Sequence, residues 1–112
     1  MHPNVSSGIA NKLKISFDRP FHQFVRKESF HSMDVYRKFL NWVSGEFDLN
    51  LQDGSDTLKI FFPNERLSIT KSNVSDHRIS AEIVVKSRVI HDGFKLMNKI
   101  EAIYQNLIKM VD

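Results

Sequence analysis

The stretch from Arg78 to Val111 restricts the possible folds more than any other part of the chain. Its first half alternates, with apolar residues at odd positions from Ile79 to Val85 and mostly polar residues at even positions. This period of two is typical of a half-buried strand. From Phe94 onward the apolar residues recur every three or four positions, as on a helix with one broad apolar face. A strand that leads directly into an amphipathic helix indicates an α+β domain, and Ser87 predicts a bulge, bend or early end of the strand.

The remaining elements are predicted from shorter patterns. Asn11 to Phe17 alternates and predicts a first strand. Ser32 is a suitable N-cap for an amphipathic helix that would stop at Gly45. Phe21 to His31 matches neither period, so we expect an irregular or short extended segment there. Pro63-Asn64-Glu65 predicts the turn of a hairpin, and the polar run after it predicts a second reversal; the segments involved are Thr57 to Phe62, Arg66 to Lys71 and Lys71 to His77.

These elements follow one another in the order β-α-β-β-β-α. Strands that are consecutive in the chain favour antiparallel pairing, and the two helices each have one apolar stripe to cover the sheet. The sequence therefore predicts an α+β two-layer sandwich with a mainly antiparallel sheet and both helices on one face. The chain has 112 residues, enough for one core. We expect a flexible tail at Met1 to Ala10 and a single domain from residue 11 to residue 112.

Composition narrows the class of protein. The chain has no cysteine, which excludes disulfides and thiolate metal sites and favours a reducing compartment. Its first residues lack the pattern of a secretory signal, and its apolar runs are short. A cytoplasmic protein without a membrane-spanning segment is therefore expected. Sixteen Lys and Arg against thirteen Asp and Glu give a net charge of +3, which is mildly basic.

The sequence has none of the motifs that position a nucleophile, a phosphate loop or a zinc ligand pair. His31 and Asp34 lie within one helical turn, but a general base or metal site needs a third converging group. We therefore expect no catalytic residue, no metal and no cofactor, and favour a small non-enzymatic binding or accessory protein.

The first candidate surface is the aromatic and basic segment before the first helix. Aromatic residues and arginine are enriched at protein interfaces, so this segment favours a protein partner, or self-association as a homodimer, for an inhibitor, immunity-type protein or oligomeric adaptor. The alternative is that its phenylalanines fill the end of the core. The candidate residues are Phe21, Phe24, Arg26, Lys27 and Phe30.

The second candidate surface is the sheet face away from the helices. If the alternation holds, lysines and arginines line this face around one phenylalanine, which favours nucleic-acid binding through phosphates and a stacked base. The simpler explanation is that basic residues are ordinary occupants of a solvated strand face. The candidate residues are Lys12, Lys14, Lys59, Phe61, Arg78, Lys86 and Arg88.

Overall fold

The computed structural model of the chain describes residues 13–47, 57–75 and 78–111. Within them lie five strands and two helices: β1 Leu13–Asp18, β2 Phe21–Phe30, α1 Met33–Glu46, β3 Thr57–Phe61, β4 Glu65–Ser75, β5 Arg78–Ser87 and α2 Ile90–Val111. The predicted tail at Met1 to Ala10, the candidate residue Lys12 and the connector from Asp48 to Asp56 lie outside the described residues.

The strands form one sheet in the order β1-β2-β5-β4-β3. Every neighbouring pair is antiparallel. Both helices pack on the same side of the sheet, so the predicted α+β two-layer sandwich is confirmed. The element order contains one strand more than the sequence predicted, because β2 stands between β1 and α1.

At Phe21 to His31 the sequence predicted an irregular or short extended segment; the segment is extended, but as a full strand of 10 residues, Phe21–Phe30. β2 pairs with β1 on one side and with β5 on the other. Its residues alternate between faces, but Arg26 and Glu28 occupy buried inward positions next to Phe24 and Phe30. Charged residues on the inward face and Val25 on the outward face remove the simple apolar alternation by which a strand is found in sequence.

The core lies between the sheet and the two helices. The odd residues of β5 are buried under the helices as predicted. Aromatic rings fill one end of this core: the ring of Phe30 lies 5.3 Å from that of Tyr36, 5.2 Å from that of Phe39 and 5.3 Å from that of Tyr104. Other core residues include Val43, Ile60, Leu67, Ile69, Ile83, Met97, Ile100 and Leu107.

Local chemistry sets the helix ends. The Ser32 hydroxyl accepts a hydrogen bond from the Val35 amide at 3.3 Å, as an N-cap does. The expected stop at Gly45 is wrong, since α1 continues to Glu46 and a Cβ on Gly45 would meet no atom within 4 Å. Gly93 in the first turn of α2 is different, because a Cβ there would overlap the Phe24 ring. This glycine allows α2 to lie close against β2.

The end of β4 also differs from the prediction, whereas the end of β5 agrees with it. β4 continues to Ser75, past the reversal expected from Lys71 onward, and its register with β5 shifts between Lys71 and Asn73. The irregularity in the pairing of β4 with β5 thus lies in β4. β5 ends at Ser87, which is one of the outcomes predicted for that residue.

In the described part of the chain, neither helix combines the length and apolar character needed to cross a membrane.

Candidate functional site

The register of the sheet brings basic residues together on the face opposite the helices. Directly opposed residues in an antiparallel sheet point to the same face, so the register defines rows across the strands. One row runs through Ser16, Gln23, Lys86, Arg66 and Phe61, and the next runs through Lys14, Val25, Val84, Ser68 and Lys59. We call this surface the basic sheet face.

Every strand contributes at least one cation to the basic sheet face. The strand cations are Lys14 of β1, Lys27 of β2, Lys59 of β3, Arg66 of β4, and Arg78 and Lys86 of β5. Among the described strand residues, Asp18 and Glu82 are the acidic residues of this face. The face therefore concentrates positive charge that the net charge of +3 for the whole chain understates.

Two phenylalanines and two arginines interleave at one end of the basic sheet face. The Arg66 guanidinium lies 5.2 Å from the centre of the Phe21 ring and 5.9 Å from that of the Phe61 ring. The Arg88 guanidinium lies 5.4 Å from the Phe21 ring. Phe61 remains 51% exposed. We call these four residues the cation-aromatic row. It presents the exposed Phe61 ring beside the positive charge of Arg66.

Arg66 and Lys86 are directly opposite each other on β4 and β5. Like charges at directly opposed positions destabilise a sheet, whereas opposite charges there stabilise it. Sheet stability alone therefore does not account for this arrangement. An anion bound between the two side chains would remove the repulsion.

The surface between these side chains is concave at two places. One depression of about 240 Å³ lies around Phe61, and its other lining residues are Lys59, Arg66, Leu67, Ser68, Val84 and Lys86. A second, of about 670 Å³, lies across β1 and β2 and includes Lys14, Gln23, Val25, Lys27 and Glu82. Val25 and Val84 are opposed at the centre of the face, so the face combines an apolar floor with a charged rim.

The residues predicted for the open face occupy it wherever the structure describes them. Lys14, Lys59, Phe61, Arg78 and Lys86 lie in the rows of this face, and Arg88 joins it through its contact with Phe21. The sequence did not predict Gln23, Val25, Lys27 and Arg66 on this face, although Lys27 was a candidate of the aromatic segment. For the first three the missing information was that β2 is a strand. The alternation in β4 from Arg66 to Thr70 was the available signal for Arg66.

The five residues of the aromatic segment do not form one surface. Phe24 and Phe30 are fully buried and Arg26 is 6% exposed, all beneath the helices. Phe21 and Lys27 point the other way and belong to the basic sheet face. The contact surface expected from the sequence is thereby divided, because neighbouring residues of a strand face opposite sides.

Arg26 belongs to a charged cluster enclosed between β2 and α2. Its guanidinium lies 2.5 Å from a carboxylate oxygen of Glu101 and 3.6 Å from one of Glu28. Burial acts to raise the pKa of Glu101, but hydrogen bonds with Glu28 and Gln105 and the charge of Arg26 outweigh it and hold the pKa below its usual value. Tyr104 donates a hydrogen bond to the Ser29 carbonyl at 2.7 Å.

The same cluster affects Tyr104. Burial, followed by the negative charges of Glu28 and Glu101, raises the pKa of Tyr104 to about 12. The Tyr104 hydroxyl therefore stays protonated and keeps its hydrogen bond to the Ser29 carbonyl of β2. The ion pair of Arg26 with Glu101 and the hydrogen bond of Tyr104 to Ser29 both join α2 to β2, so this cluster has a structural role.

A third depression, of about 250 Å³, lies on the helix side between the end of α1 and the start of α2. Glu65 lines it. Burial is the largest influence on the pKa of the Glu65 carboxyl and raises it, and the negative charge of Asp92 raises it further. Lys95 and Lys99 line the same depression. Within residues 13–47, 57–75 and 78–111, no three His, Asp or Glu residues converge as a metal site would require.

Comparison of the chain with protein-family models, with curated proteins and with solved structures finds no match.

Proposed function

We propose that this protein is a small binding protein whose basic sheet face holds single-stranded nucleic acid. The observation that carries the proposal is the cation-aromatic row, next to the opposed pair of Arg66 and Lys86. This arrangement costs stability in the free protein and matches a ligand that offers both phosphates and flat bases. A cytoplasmic location, as expected from the sequence, is part of the proposal.

The exposed ring favours a single strand over a duplex. Bases of a single strand can stack on aromatic side chains, and each stacked base contributes ~1–3 kcal/mol. Phe61 is the ring available for such stacking, while the Arg66 and Arg88 guanidinium groups lie against Phe21. A duplex offers mainly phosphates to an open sheet, so it would use the cations without the ring. Affinity at physiological salt is expected near ~1–100 μM, the range of non-specific binding.

A protein partner was the first expectation from the sequence. In this conformation the helices cover Phe24, Arg26 and Phe30, so a partner cannot reach them without opening the core. Phe21 and Lys27, which the helices do not cover, belong to the basic sheet face. We therefore assign the binding function to that face.

The proposal is tested by reversing two charges of the face. The variant Arg66→Glu with Lys86→Glu is compared with the wild type by fluorescence anisotropy, using single-stranded DNA and RNA of about a dozen nucleotides. At low salt we expect affinity to fall by more than ~10-fold. Because each phosphate contact contributes ~0.7 to the salt slope of a single strand, the slope should become shallower by ~1.4.

A matched control separates the face from net charge. Lys38→Glu with Lys109→Glu reverses two exposed cations of the helix layer, and so changes the net charge by the same amount. This variant should bind like the wild type. Equal loss in both variants, or a wild type that binds no single strand at low salt, would contradict the proposal.

A further inference from the structure

Among the described residues, the helices leave the edge strand β1 uncovered on the side of the sheet where they pack. Its helix-side residues Ile15 and Phe17 are 44% and 56% exposed. At the opposite edge of the sheet, the corresponding residues of β3, Leu58 and Ile60, are 3% and 0% exposed. The helices therefore cover the apolar residues of the sheet at the β3 edge and leave those at the β1 edge exposed.

The exposed strip continues onto the start of α2. Ile15 is directly opposite Phe24, and the Phe94 ring lies 5.0 Å from the Phe24 ring. Phe94 and Ile90 are 37% and 44% exposed. Contiguous exposed apolar residues of this kind mark an interaction site more often than isolated ones do.

The free edge of β1 carries the charged residues Lys14 and Asp18, but it lacks three other common protections against pairing. Edge strands are commonly protected by a bulge, a proline or an inward-pointing charge. From Leu13 to Asp18 the register with β2 is continuous, the strand contains no proline, and its lysine points to the basic sheet face. No strand within residues 13–47, 57–75 and 78–111 pairs with the outer side of β1, so the backbone groups there are available to extend the sheet.

We propose that a second copy of this chain pairs with β1 in antiparallel fashion, about a twofold axis that passes beside Ser16. Such an axis, perpendicular to the sheet, keeps the helices of both copies on the same side. It places Ile15 opposite Phe17 of the second copy, and Lys14 opposite Asp18 of the second copy. Aromatic residues against β-branched ones and opposite charges are both favourable cross-strand combinations, and symmetry provides each of them twice.

Other registers fit less well. An axis beside Lys14 would bring two lysines face to face, which is unfavourable. An axis beside Ile15 would place Lys14 opposite Ser16, and Asp18 would then face Lys12, which lies outside the described residues. Within Leu13–Asp18, the axis beside Ser16 is the one that pairs opposite charges, and this holds independently of any nucleic-acid function. Pairing would join two five-stranded sheets into one with a continuous basic face.

The absence of cysteine from the chain allows a clean test by disulfide trapping. In the proposed register the two Ser16 residues face each other, with Cα atoms ~4.5–5.5 Å apart, a distance that a disulfide spans. The single variant Ser16→Cys should therefore form a disulfide-linked dimer under mild oxidation. Lys14→Cys should not, because its copy lies four residues away along the strand, ~14 Å. Met110→Cys, at a 72% exposed site, reports random collision.

Sedimentation equilibrium tests the charge pairs without a crosslink. Asp18→Lys should raise the dimer dissociation constant by ~5-fold or more, since it places lysine opposite lysine twice. Adding Lys14→Asp to that variant should restore dimerisation, because the opposite charges then face each other again. A double swap that dimerises no better than Asp18→Lys would overturn the register.

Two further outcomes would overturn the proposal as a whole. One is a wild type that stays monomeric over the full concentration series. Another is a monomer in which Ile15 and Phe17 resist surface labelling, since a different segment of the same chain would then cover the strip. Equal trapping of Ser16→Cys and Met110→Cys would likewise count against pairing through β1.

Discussion

The two faces of this sheet treat positive charge in opposite ways. On the covered face, Arg26 is enclosed with the carboxyl groups of Glu28 and Glu101. On the open face, Arg66 stands opposite Lys86 and beside aromatic rings. A charge taken out of water requires counter-charges, whereas like charges facing water persist at modest cost. The covered face thus supplies carboxyl partners for its cation. On the open face Lys27 lies opposite Glu82, but Arg66 and Lys86 lie opposite each other and leave positive charge that an anion can use.

The largest effect is expected from the two phenylalanines of β2 that lie under the helices. Phe24→Ser together with Phe30→Ser should unfold the protein, because truncating a buried phenylalanine costs ~3–5 kcal/mol and total stability is ~5–15 kcal/mol. Circular dichroism with urea titration measures this. Phe61→Ser on the open face is the matched control and should keep the fold. A folded double variant would show that the segment is not core.

A smaller loss is expected when the buried cation is removed. Arg26→Leu should destabilise the fold by ~3–5 kcal/mol, since it leaves the carboxyl groups of Glu28 and Glu101 enclosed without the guanidinium. Lys27→Leu, the next residue on the open face, should change the free energy of unfolding by only ~0.5 kcal/mol. Similar values for the two variants would remove the distinction between the faces.

Arg26→Leu should also change how the free energy of unfolding depends on pH. Because the folded-state pKa of Glu101 lies below its usual value of 4.5, its contribution to stability is present above that value and is lost as pH falls through the folded pKa. The wild type should therefore lose stability on acidification in this range. Arg26→Leu should lose less, and urea titrations at a series of acidic pH values measure the difference. A variant with an unchanged pH profile would contradict the assigned role of Arg26.

The difference between the faces also explains how far the sequence alone predicts the structure. β5 and α2 were predictable because their apolar periods are nearly uninterrupted. β2 was not, since Arg26 and Glu28 look like surface residues until Glu101, far along the chain, is placed beside them. No local pattern contains that information.

The candidate site was predictable to the same extent. Alternation in β1, β3 and β5 placed Lys14, Lys59, Phe61 and Lys86 on one face. The contribution of β2 and the opposition of Arg66 to Lys86 depend on strand pairing across the sheet. The uncovered edge at Ile15 and Phe17 depends on where the helices lie, which the strand pattern does not specify.

The most direct test of the two-face account uses valine methyl groups as probes. Val25 and Val84 lie at the centre of the basic sheet face, while Val43 and Val85 are fully buried in the core beneath the helices. A methyl NMR titration with single-stranded DNA of about a dozen nucleotides should shift the signals of Val25 and Val84 in a saturable and salt-sensitive manner, and leave those of Val43 and Val85 in place. Shifts confined to the buried valines, or binding that moves neither open-face signal, would contradict the account.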